Sequence, residues 1–325
     1  MAAGPLVSVV IPVFNGSAYL REAIESALAQ TYPNVEILVV DDGSNDGGAT
    51  AAIVRSYGGL IRPLRQENGG VASALNLGIR AMRGEFFSWL SHDDAYLPHK
   101  LSSQIAALPR LGGDTVLYAD YEIIDGTGKR IGCSRNGGIP EAMFRRALVT
   151  ETPVNGCTVL VPGRCFERAG LFDESLKTTQ DYDLWFRMAD CCRFVHQPLV
   201  VLKSRVHPAQ GTRALAAACR AEGNALHIRF LETLANERQR APAFDRFLLY
   251  AAVRLRQLGY TAAAARALSM YLEESHAGRG FPGTAHRAAA GLFYGLLDRR
   301  PFRGVLAKAL RSWAFSGSRR AFPMR

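Results

Sequence analysis

The sequence predicts an α/β domain on a mostly parallel sheet flanked by helices, followed by an α-helical region. Three observations carry this. Residues 7–14 (VSVVIPVF) and 35–44 (VEILVVDDGS) hold continuous apolar, β-branched runs of strand length, as strands buried on both faces require. Between them Leu20, Ala23, Ile24, Ala27 and Leu28 recur at helical spacing. Beyond about Ala214 the composition turns to Ala, Leu and Arg with helical periodicity, as in RFLLYAAVRLRQLGYTAAAARALSMYLEE. The expected division is an α/β domain over residues 1–213 and a helical region over 214–325.

Taken in order, the first strand ends on the turn residues Asn15, Gly16 and Ser17, with Ser17 as the expected helix cap and Pro33 closing the helix. The second strand ends on Asp41, Asp42, Gly43 and Ser44. A third unit follows: a short strand near residues 61–64, a loop at 66–70, a helix to about Met82 and a strand over 85–90 that runs into Ser91, His92, Asp93 and Asp94. In the helical region, residues 244–258 and 261–272 are expected to pair antiparallel, and no fixed-period repeat indicates a solenoid.

The 325 residues are 48% apolar and 21% charged, ordinary for a globular chain, and no apolar run reaches the roughly 18 residues that span a bilayer. The start has no basic segment before its apolar stretch, so it does not read as a signal peptide. Six cysteines without CxxC or Cys/His ligand spacing favour free thiols, and together these features assign the reducing cytoplasm. The net charge of +10 is concentrated: residues 275–325 hold ten Lys or Arg and one acid, leaving 29 basic and 28 acidic residues before them. Mixed with apolar residues, as in FRGVLAKALRSWAF, this tail suggests a helix on an anionic membrane surface, the alternative being a solvated helical face. Nucleic acid is not an expected partner, because the tail lacks interleaved aromatics and any known motif.

In open α/β sheets ligands bind beyond the carboxyl ends of the strands, and polar clusters follow three strands here. Two acidic turns on one edge bring four carboxylates together, which is costly without a cation or a hydrogen-bonding ligand. Asp93 and Asp94 suit a magnesium-type ion, which is held by one or two carboxylates plus waters and phosphates, although an Asp also caps helices well. Asp181 opens a helix whose Leu184, Trp185 and Met188 share a face, and by itself reads as an N-cap.

The motifs VSVVIPVFN, VVDDGSNDG, ENGGVASALNLGIRAMRGEFFSWLSHDD and TQDYDLWFRM, in this order, make residues 6–210 resemble a family 2 glycosyltransferase of the GT-A fold. The resemblance implies nucleotide binding by Pro12, Val13, Phe14, Asn15, Asp41 and Asp42, with the loop of Asn68, Gly69 and Gly70, together with Asn76 and Gly78, closing over the nucleotide. It places Ser91 beside the ribose, where the family's D-x-D motif has an acid in its place, and puts His92 in the nucleotide-binding segment, although His92 also reads as a plain strand-end residue. Asp93 becomes the ligand of a Mg²⁺ or Mn²⁺ ion, with His207 completing the metal or diphosphate site. Asp181 becomes the general base, with Gln180 where the family has Glu; Asn155, Gly156 and Trp185 fall on the acceptor side. The implied reaction is inverting transfer from a nucleoside diphosphate sugar, most simply a UDP-sugar, to a glycan or polyprenyl-linked hydroxyl in bacterial surface polysaccharide synthesis, on the inner face of the membrane. Ser91 and Gln180 leave a non-catalytic nucleotide-sugar binder as the alternative. A sugar nucleotidyltransferase fits less well, since residues 13–16 form no glycine-rich basic loop.

Overall fold

The computed structural model describes residues 4–136, 139–208, 210, 215–237, 244–276, 311 and 314. The main sheet has the order β3-β2-β1-β4-β8. Strands β1 (Val7–Val13), β2 (Val35–Asp41), β3 (Arg62–Arg65) and β4 (Phe86–Trp89) are parallel, and β8 (Val161–Pro162) joins β4 antiparallel. β1 is buried along its whole length, which is why it reads as an unbroken apolar run. A second sheet has the order β5-β9-β6-β7, formed by β5 (Ala95–Tyr96), β6 (Thr115–Ile124), β7 (Arg130–Ser134) and β9 (Arg193–Arg205). Here β6 runs parallel to β9 but antiparallel to β7.

This topology builds the edge on which a site can form. Val13 is in register with Asp41, and Val10 with Trp89, so β1, β2 and β4 end on the same side of the sheet. The strand order reverses between β1 and β4, and the crevice at such a switch point is where open sheets bind ligands.

Helix α1 (Leu20–Leu28) buries Leu20, Ala23, Ile24 and Ala27. Ser17 does not cap it: the helix starts at Leu20, and the Gly16 carbonyl accepts from the amides of Tyr19 and Leu20. After α2 (Ala49–Ser56), α3 (Val71–Ala81) lies against β1 through Gly78. A Cβ on Gly78 would stand 2.3 Å from Val10 Cγ1, so this glycine admits the strand, not a nucleotide. Helices α4 (Lys100–Ala107), α5 (Phe144–Thr150), α6 (Gly163–Ala169) and α7 (Gln180–Met188) follow.

Contacts divide the chain into one unit of Met1–Phe144 with Pro153–Ala216 and another of Arg145–Thr152 with Ala217–Arg325. The second unit draws in residues 145–152, which composition alone left with the α/β domain. Arg145 pairs with Glu237, the Arg146 guanidinium lies over the rings of Phe244 and Phe247, and Glu151 accepts from Tyr250. Within this unit α8 (Ala216–Asn236) precedes a helical hairpin of α9 (Phe244–Gln257) and α10 (Thr261–His276). Gly259, at φ +90°, turns the chain between them. No helix among the described residues is long and apolar enough to cross a membrane. The basic tail lies outside the described residues except for Arg311 and Ala314.

The tight Gly78 contact gives a clear expectation. Gly78→Ala gains up to about 1 kcal/mol of helix propensity, but overpacking against β1 costs about 1–3 kcal/mol. The variant should unfold at lower denaturant than the parent in urea titration.

Candidate active site

The edge is organised around the turn that follows β4. The Asp93 carboxylate meets the His207 ring, Oδ2 to Nε2, at 3.0 Å, although the two residues are 114 positions apart. His207 stands just beyond β9 and packs on Tyr19, ring centroids 5.1 Å apart. Asp94 turns the other way: its carboxylate accepts from the Arg205 backbone amide at 2.8 Å. Burial first and the Asp93 charge second push the Asp94 pKa up to about 7.

Arg205, only 2% exposed, is the residue the sequence did not single out. Its Nε donates to the Asp93 carbonyl at 2.9 Å, its Nη1 to the carbonyls of Asp125 and Gly126, and its Nη2 to Glu22. The guanidinium also covers the Tyr19 ring at 4.6 Å. The only sequence signal was a cation beside His207 at the end of a strand. Its partners come from α1, the β4 turn and the β6–β7 loop, and spacing cannot show such a convergence.

On the far side of the same turn, Ser91 and Cys157 hold each other. The Ser91 amide donates to Cys157 Sγ, and the thiol donates to Ser91 Oγ, both at 3.2 Å. Burial raises the thiol pKa well above its usual value. Cys157 belongs to the turn Gly156–Thr158, where the Asn155 side chain accepts from the Cys157 amide and donates to Ser204 Oγ. Gly156 lies on the Trp89 indole, whose ring carbons would stand 2.3 Å from a Cβ there.

Asp41 and Asp42 are supplied with partners by the chain itself, so they do not require an added cation. Asp41 pairs with Arg65 at 2.5 Å and accepts from the Ser44 amide. Asp42 accepts from Gln66 and from the amides of Gly69 and Gly70, which ties the 68–70 loop down onto β2. A carboxylate has about four lone-pair sites, so Asp41 retains acceptor capacity. Asn15, at φ +50°, exchanges side-chain bonds with Asn45, and Phe14 is exposed beside it. Pro12 and Val13 are buried in β1. The His92 ring lies against Gly16; burial lowers its pKa.

Two expected residues serve the fold. Asn76 is buried in α3, and its amide bonds the Phe172 amide and carbonyl and the Glu174 carboxylate, fixing the 172–174 segment instead of closing over a ligand. Trp185 is fully buried between Phe172 and Phe194 and cannot face an acceptor. The shared apolar face of α7 points into the core, and Trp185 goes with it.

Asp181 stands in the first turn of α7, where its carboxylate accepts from the Tyr182 amide at 2.9 Å. Thr179, not Asp181, is the N-cap. Burial dominates and raises the Asp181 pKa to about 6, with the backbone amides of the helix start opposing it. Tyr182 donates to the Val154 carbonyl, which leads directly to Asn155 and Cys157. A continuous set of contacts therefore runs from the Asp181 helix through this turn to Ser91 and Asp93.

Asp93 and His207 offer a hard oxygen and an imidazole nitrogen. That set suits Mg²⁺ or Mn²⁺ when a diphosphate and waters fill the other positions. Among the described residues no group of three or more His, Cys, Asp or Glu side chains gathers to cage an ion unaided.

A mostly parallel sheet whose strand-end turns are acidic, with a histidine brought to them from beyond β9, is an arrangement consistent with the GT-A fold of glycosyltransferases. The chain belongs to glycosyl transferase family 2, whose model matches residues 8–178. It is 45% identical over 241 residues to an uncharacterized glycosyltransferase of Rickettsia bellii, covering 72% of this chain and 34% of that protein. It is 33% identical over 179 residues to the glycosyltransferase GlyG of Streptococcus pneumoniae, covering 52% of this chain and 58% of that one. The chain thus spans about a third of the length of the Rickettsia bellii relative. S. aureus TarS 1-349 in complex with UDP shares the fold, with TM-score 0.50 and 21% identity over 86% of this chain and 93% of that one.

Removing the Arg205 cation tests its hold on the turn. Arg205→Met strands buried carbonyls at about 1–3 kcal/mol each, so urea unfolding should show a loss of at least about 2 kcal/mol.

Proposed function

We propose that this family 2 glycosyltransferase moves a sugar from a UDP-sugar to an acceptor hydroxyl in a single displacement that inverts the anomeric carbon. The observation that carries the proposal is the meeting of Asp93 and His207 on the edge where β1, β2 and β4 all end. Support for the nucleotide comes from a neighbour of the same fold that is described in complex with UDP, and from another in complex with UDP-GlcNAc.

Asp93 and His207 would hold a Mg²⁺ or Mn²⁺ ion, which when bound neutralises charge on the departing diphosphate. Asp41, with spare acceptor capacity, takes a base N–H, while the Asp42-anchored loop forms one wall of the nucleotide site. Ser91 faces the ribose with a hydroxyl where the family carries a charge. Asp181 takes the acceptor proton as the new C–O bond forms. A carboxyl at about 6 is a better base than one at 4 and is still largely ionised at neutral pH.

UDP release from a panel of UDP-sugars with Mn²⁺ and mixed acceptors tests the reading. Asp181→Asn should cut kcat by about 10²–10⁴ and leave UDP binding intact. In the parent, kcat should rise with pH through about 6 as Asp181 loses its proton, and this limb should be missing from the variant's residual rate. UDP binding without turnover on any donor would favour the non-catalytic alternative.

The acceptor is proposed to be a lipid-linked glycan at an anionic membrane surface, reached through the basic segment 275–325. In vesicle sedimentation the full chain should bind phosphatidylglycerol liposomes, and a chain ending before Ser275 should not.

A further inference from the structure

Lys100 has no place in the chemistry above, yet it is completely buried in the first turn of α4. Its ammonium donates three hydrogen bonds: to Ser88 Oγ at 2.7 Å, to Gln104 Oε1 at 3.0 Å and to the Val159 carbonyl at 3.0 Å. It also lies 4.5 Å from the centroid of the Tyr96 ring. All its acceptors are neutral, and among the described residues it forms no ion pair. Burial accordingly pushes its pKa down to about 7.

A buried cation without a counter-ion is expensive, and apolar replacement of buried charges is often neutral or stabilising. Core packing therefore does not explain a lysine here. Its partners do suggest a reason. Ser88 lies on β4, three residues before Ser91, and Val159 follows the turn Gly156–Thr158. Gln104, itself fully buried, accepts from Lys100 and donates through Nε2 to the Thr158 carbonyl at 2.8 Å. Tyr96 meets Ser88 Oγ and donates to the Trp89 carbonyl at 2.6 Å. Lys100 and Gln104 thus fasten the turn to the end of β4, and that turn carries the Cys157 thiol that grips Ser91.

We propose that Lys100, with Gln104, is a positioning residue: it fixes the turn Gly156–Thr158 against β4 and thereby sets where the Ser91–Asp94 segment holds Asp93 toward a metal-bound diphosphate. Arg205 secures this segment from β9, and Lys100 secures it from the opposite side without touching it. The inference rests on the transferase reading, and it separates the diphosphate end of the donor from the base end. The base end is built by Asp41, Asp42 and the 68–70 loop, none of which bonds Lys100 or Gln104.

The test compares two probes, uridine and UDP with Mn²⁺, each titrated by calorimetry or ligand-observed NMR. The proteins are the full chain, Lys100→Met and Gln104→Leu, with circular dichroism and a cooperative melt showing that each variant is folded. Uridine affinity should stay within about twofold in both variants. Affinity for UDP with Mn²⁺ should fall by about tenfold or more in Lys100→Met, equivalent to about 1.4 kcal/mol, and in the same direction in Gln104→Leu. A merely structural lysine would leave the ratio of the two affinities unchanged, and that result in a folded variant overturns the inference. If Lys100→Met does not fold, Gln104→Leu decides. If the parent binds neither probe, the transferase reading falls and this inference falls with it.

Discussion

The site depends on one buried guanidinium. Arg205 closes β9 and reaches the backbone of the turn after β4, the loop between β6 and β7, and α1. Through its own amide it also holds Asp94, so the residue that anchors one aspartate by its carboxylate anchors the next by its carbonyl. A guanidinium suits this task because its fan of N–H donors satisfies several acceptors at once, keeps its charge when buried, and can still stack on Tyr19. His207, two residues further on, is delivered to Asp93 as a consequence.

Acidic residues crowd this edge, and the protein manages each differently. Arg65 and the Ser44 amide neutralise Asp41; Gln66 and two glycine amides surround Asp42. Asp94 is desolvated until its pKa approaches 7, which weakens its charge near neutrality. Asp93 is left as the carboxylate whose described bond is to a histidine, a residue type that suits a metal as well as a carboxylate. Most of the repulsion expected of a cation-free edge is therefore already relieved, and a bound ion has one principal carboxylate to meet.

Catalytic and structural demands meet again at the turn Gly156–Thr158. Gly156 lets the backbone lie on Trp89, the Asn155 side chain closes the turn on itself, and Cys157 acts as a small hydrogen-bonding group with a raised pKa, not as a nucleophile. Tyr182 links the same turn to the helix of Asp181. The Asp181 helix and the Ser91–Asp94 segment thus share one piece of backbone, on which several buried polar side chains converge.

The sequence by itself determined the first strands and helices and the mostly parallel character of the main sheet, because burial on both faces leaves a run such as residues 7–13 apolar without interruption and the covering helices keep a helical period. Residue type beside a strand end drew attention to Asp93, whereas His207 and Asp181 were singled out through the resemblance to family 2 glycosyltransferases. Tertiary structure alone decided which polar residues face a ligand and which hold the scaffold. Asn76 and Trp185 were read as site residues but serve the scaffold, whereas Lys100 and Gln104 carried no signal and Arg205 only that of a cation near a strand end. The assignment of residues 145–152 to the helical unit was equally hidden. The reason is the range of the interactions: periodicity and capping act over a few residues, while Asp93 meets His207 across 114 positions and Lys100 reaches Val159 across 59. Only the folded chain brings such partners together.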